Sequence, residues 1–94
     1  MGQLEGKVAI VTVASRGIGQ AIASGMASEG ARVILASRKQ DALDEVAAQI
    51  EPTAPGRVFA RACHIGDPDA IQGLLDWAEE KVGPVNVLIN NAAT

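Results

Sequence analysis

The segment Thr12-Val13-Ala14-Ser15-Arg16-Gly17-Ile18-Gly19 concentrates the clearest chemistry in this chain. Its glycines stand where an apolar run, Val8-Ala9-Ile10-Val11, gives way to apolar residues at helical spacing. A helix that opens there points bare amides and the positive end of its dipole at the loop, an arrangement that holds phosphate oxygens. The plain dinucleotide spacing G-x-G-x-x-G fails, because Ile22 occupies the third glycine position. The spacing T-G-x-x-x-G-I-G fits, with Val13 standing where its first glycine would be. Glycine at such a turn reaches positive φ freely and brings no side chain toward a nucleotide, so Val13 is expected to weaken binding.

The elements that must position this turn follow from periodicity. Val8-Ala9-Ile10-Val11 reads as a buried strand, and Ile18, Ala21, Ile22, Gly25 and Met26 mark a helix that ends at Glu29-Gly30. Val33-Ile34-Leu35-Ala36 is a second strand, and Leu43, Val46, Ala47 and Ile50 define a second helix stopped by Pro52. A third strand begins at Val58-Phe59-Ala60. Asp67-Pro68-Asp69 then combines a capping carboxylate, a proline suited to the first helical position and an acid at the positive end of the dipole. That third helix runs to Gly83-Pro84 on Ile71, Leu74, Leu75, Ala78 and Val82, and Val85 to Asn90 is a fourth strand. Strand and helix alternate throughout, which predicts an α/β fold, a partial Rossmann (doubly wound) arrangement of four parallel strands with three right-handed crossover helices. Residues 1–94 are expected to form a single, incomplete nucleotide-binding domain.

Thr12 to Gly19, the strand-end Asn90-Asn91-Ala92-Ala93 and the element order between them resemble the N-terminal part of the short-chain dehydrogenases/reductases. The resemblance spans essentially the whole chain and implies NAD(P)-dependent carbonyl/alcohol oxidoreduction. It implies that Ser15, Arg16, Gly17, Ile18 and Gly19 line the cofactor phosphates. It places His64-Ile65 against the adenine, and Asn90 with Ala92 near the ribose. An NAD-preferring fold wants an acid about 20 positions beyond the glycines to bind the ribose 2′-hydroxyl. This chain offers Ser37-Arg38, and a guanidinium at Arg38 or Arg16 can grip a 2′-phosphate in two-point geometry, so NADP is expected over NAD. Ala93 replaces the glycine usual in Asn-Asn-Ala-Gly.

The family's catalytic Ser, Tyr and Lys would lie beyond Thr94, and the chain contains no tyrosine. None of Lys7, Lys39 and Lys81 matches the catalytic lysine, so no catalytic residue is assigned and turnover by these residues alone is not expected. The family's sheet order implies that the fourth strand lies beside the first with an open outer edge, and that two helices cover one face and one the other. Self-association, or pairing with a complementing chain, is expected through that edge. The competing reading is a non-catalytic interaction module in which Val13 abolishes cofactor binding.

Composition agrees with a sheet buried on both faces: 48% of residues are apolar, and roughly 59% with the glycines, above the average of globular chains. A net charge of −3 and only two aromatic residues, Phe59 and Trp77, argue against nucleic acid. Trp77 is expected to pack at the edge of the third helix. The single cysteine, Cys63, reads as a small buried hydrophobe, fits a reducing compartment and leads to the expectation of a cytoplasmic protein. No metal site is read, and no run approaches the ~18 consecutive apolar residues of a membrane span.

Overall fold

The computed structural model describes residues 3–13, 17–64 and 66–91. The elements in chain order are β1 (Val8–Val13), α1 (Gly17–Ser28), β2 (Arg32–Ser37), α2 (Gln40–Ile50), β3 (Val58–Ala62), α3 (Pro68–Lys81) and β4 (Val87–Asn91). All pairings are parallel, as the alternation of elements predicts, and the strand order is β3-β2-β1-β4, with β4 beside β1 as the family resemblance implies.

Side chains alternate across the sheet and divide its core in two. Val11, Val33 and Leu35 face α1 and α2, where they meet Ala23 and Ala27 of the first helix and Leu43, Val46 and Ile50 of the second. Val8, Ile10, Ile34 and Ala36 face the other way, toward Cys63 and the Leu74 and Ala78 stripe of α3. Val33 through Ala36 are fully buried, because β2 lies inside the sheet and is covered on both faces. Trp77 packs half-buried against the second cluster, as expected, and the Arg61 guanidinium stands 4.9 Å from its ring centroid.

The helix ends are closed by the residues that the sequence marks for it. Asp67 caps α3 by accepting the Asp69 N–H at 2.9 Å, with Pro68 in the first turn. Gly30 follows α1 at φ +100°, and a Cβ there would stand 3.0 Å from the Glu5 Cα, so both backbone conformation and space require glycine. Two arginines, unassigned from the sequence, serve carbonyls at helix C-termini. Arg57 Nη2 donates to the Ala27 carbonyl at 3.0 Å, and Arg32 Nη1 donates to Val82 at 2.9 Å.

The fourth strand begins at Val87 instead of Val85. Asn86 is the reason. Its Oδ1 accepts the Val8 N–H while its own N–H donates to the Val8 carbonyl, each at 2.9 Å, so a side chain makes the first rung between β1 and β4. The regular ladder starts one residue later, with Val87 opposite Ala9.

Candidate nucleotide-binding edge

Parallel strands deliver their carboxyl ends to one edge of the sheet, and the register shows what arrives there. Thr12 of β1 lies opposite Ala36 of β2 and Asn90 of β4, Val13 opposite Asn91, and Ser37 opposite Ala62. One row therefore gathers the end of β1, the Ser37-Arg38 end of β2, the Cys63-His64 exit of β3 and Asn90-Asn91 of β4. At β1 the connections part: α1 carries the chain toward β2 and β3, and α3 brings it back across the other face to β4. Such a switch point opens a crevice at the carboxyl ends of the strands.

Gly17, Ile18 and Gly19 form the first turn of α1, and Gly19 is buried. This is the helix opening that the glycine spacing predicts, with its amides directed at the same edge. Ser15, Arg16, Ile65 and Ala92 lie outside the described residues. Val13 is the last residue of β1 and pairs with Asn91. An extended strand is the conformation that β-branched residues favour. This extended backbone removes strain from the grounds on which Val13 is expected to weaken binding.

Beyond β2 the chain turns at once into α2. The Ser37 hydroxyl accepts the Lys39 N–H at 3.4 Å, and Lys39 caps α2 with its backbone alone. Arg38 and Lys39 are both exposed, so two adjacent cations stand at the end of β2 where an acid would favour an unphosphorylated ribose. His64 is exposed just past β3, and its carbonyl accepts the Asp67 N–H at 2.9 Å. Its imidazole is presented at the rim, not packed into the sheet.

Cys63 is buried and points its Sγ at the Ala70 carbonyl, 3.4 Å away. Burial, and then the nearby charge of Asp67, pushes the thiol above its ordinary range against a smaller opposing effect of Arg61. It stays protonated and serves as a core hydrophobe. Among the described residues, no group of three His, Cys, Asp or Glu could hold a metal ion, and no helix is long and apolar enough to cross a membrane.

Sequence reading missed Thr12 as more than part of a motif. It is the one buried polar residue of the core among those described, and its Oγ1 donates to the Ile89 carbonyl at 3.3 Å. The bond ties β1 to β4 one step before the row where the crevice opens. A polar residue directly after the apolar run Val8–Val11 was the available signal.

These features define a class: a doubly wound parallel α/β protein with a helix opening and a basic corner at the carboxyl edge of its sheet. The sequence profile described as short chain dehydrogenase matches residues 7–94, and the chain belongs to that family. It is 42% identical over 89 residues to dehydrogenase/reductase SDR family member 4 of Caenorhabditis elegans, covering 95% of this chain and 34% of that protein. A short chain dehydrogenase from Mycobacterium smegmatis superposes with a TM-score of 0.91 at 36% identity, over 100% of this chain and 40% of the other. L-sorbose reductase from Gluconobacter frateurii, whose structure holds NADPH and L-sorbose, gives a TM-score of 0.86 at 37% identity, over 96% of this chain and 34% of the other. The chain thus spans about a third of the length of the relatives it matches.

Proposed function

We propose that this chain binds NADP(H), in preference to NAD(H), as the cofactor half of a carbonyl/alcohol oxidoreductase. The observation that carries the reading is the sharing of one sheet edge by the Gly17–Gly19 opening of α1 and the corner formed by half-buried Ser37 at the end of β2 with exposed Arg38 and Lys39. Ser15, Arg16, Gly17, Ile18 and Gly19 would hold the pyrophosphate through backbone amides. Ser37 and Arg38 would hold the 2′-phosphate, His64 and Ile65 the adenine, and Asn90 with Ala92 the ribose. The cofactor, when bound, supplies hydride. The NADPH in the sorbose reductase structure supports the cofactor class.

The 94 residues contain no tyrosine, and we propose that they bind cofactor without turning substrate over. Leu88, exposed on β4, and the outer edge of that strand support self-association or pairing with a complementing chain. The lone cysteine supports a reducing compartment, the cytoplasm.

Titration with NADPH and NADH, followed by calorimetry, tests the reading. NADPH binds more tightly than NADH, and Arg38→Ala weakens NADPH by about tenfold while leaving NADH unchanged, the loss expected of one exposed charge-assisted contact. Val13→Gly tightens both. Equal affinities for the two cofactors, or an Arg38→Ala variant that binds both as the parent does, would sink the preference for NADP.

A further inference from the structure

The outer edge of β3 is occupied by a side chain in a particular way. In the β2–β3 ladder, the Val33 N–H donates to the Arg57 carbonyl and the Cys63 N–H to the Ser37 carbonyl. Odd-numbered residues of β3 therefore turn their amides and carbonyls toward β2, and even-numbered residues turn theirs outward. The outward pair Ala60 and Ala62 would ordinarily be open to another strand. Instead, Gln40 in the first turn of α2 meets both: Nε2 donates to the Ala60 carbonyl at 3.3 Å, and Oε1 accepts the Ala62 N–H at 2.8 Å.

This is the bonding of a parallel neighbour. A residue of an added strand opposite Arg61 would give its N–H to Ala60 and its carbonyl to Ala62, and one carboxamide reproduces both. The orientation of that carboxamide is also set. The second Nε2 hydrogen goes to Asp44 Oδ1 at 2.8 Å, one turn along α2, so a flipped amide would put its oxygen against a carboxylate. Every hydrogen-bonding position of the amide nitrogen is used.

We propose that Gln40 is the strand stop of this sheet: its carboxamide stands in for a fifth strand on β3 and closes that edge to pairing with a second copy of this chain. Asp44 is the residue that holds the stop in place. The device lies on the far side of the sheet from β4 and does not depend on which cofactor the protein binds.

Hydrogen exchange and sedimentation on the 94-residue chain test it with two variants. Gln40→Met keeps the length of the side chain and removes both bonds. Gln40→Glu also loses both donated bonds, but places a charge on the edge, which by itself discourages pairing. In dilute solution, Gln40→Met exchanges the Ala62 amide about tenfold faster than the parent, the effect of losing one hydrogen bond. The Cys63 amide, which faces β2, keeps its rate in both variants, and Gln40→Glu also speeds Ala62, because its second oxygen faces the Asp44 carboxylate and the Ala60 carbonyl. As concentration rises, Gln40→Met forms larger species than the parent and Gln40→Glu does not. An unchanged Ala62 rate in Gln40→Met, equal acceleration at Cys63, or sedimentation of Gln40→Met like that of the parent would each overturn the proposal.

Discussion

The two ends of the sheet are built to different degrees. At the β3 end, α2 lies against the strand, Gln40 closes the outer edge, and Phe59 and Val58 are half-buried on opposite faces. At the β4 end, Ile89 packs on the α1 and α2 side, but Leu88, on the α3 side, is 55% exposed, and no described residue pairs with the outer edge of the strand. Leu88 is the only large hydrophobic side chain so exposed among the described residues. Among the described residues, the β3 end of the sheet is finished by Gln40 and the β4 end is the more open. The candidate cofactor edge runs between them, with its basic corner on the finished end and Asn90 on the open one.

Two leucine truncations give the sharpest measure of that contrast. Leu35→Ala, in the fully buried interior of β2, costs about 2–5 kcal/mol by loss of burial and opening of a cavity, enough to unfold much of a marginal chain. Denaturant titration reads it directly. Asp67→Ala removes the cap of α3 and costs about 1 kcal/mol by the same measurement. A loss near zero would mean that α3 is held by its packing on Ile10 and Ile34 alone.

Leu88→Ala changes stability by less than about 0.5 kcal/mol, as surface changes do, yet shifts sedimentation toward smaller species. A large loss of stability with unchanged association would show that the β4 end is finished after all. The smallest expected effect is alkaline. Because folding raises the Cys63 pKa, the folded state keeps a proton that the unfolded state releases. This contribution is present below the unfolded thiol value and is lost as pH rises through the folded one, so Cys63→Ala flattens the decline of stability above the ordinary thiol range.

Much of the architecture was legible because it depends on near neighbours. The spacing of Leu43, Val46 and Ile50, the Asp67-Pro68 start and the stop at Gly30 each record a local requirement, and the helices lie where those residues put them. The beginning of β4 was not legible, because Asn86 reads as a strand residue until its side chain is seen bonded to Val8, 78 positions away. Of the candidate site, the glycine opening and the Ser37-Arg38 corner were visible as motifs. At Val13 the strain that a glycine turn would impose is absent, since the residue lies in the β1 ladder.

The sequence by itself determined the order of elements, the burial of β2, the capping of α3 and the residue types available to grip a phosphate, because composition, periodicity and turn chemistry act over a few residues. Only the tertiary structure decided that Thr12 would tie β1 to β4, that Gln40 would act as a strand against β3, and that Leu88 would stand in solvent. Each of those depends on which strand lies beside which. That choice is made by packing across long separations in the chain, and a side chain carries no local mark of the neighbour it will meet.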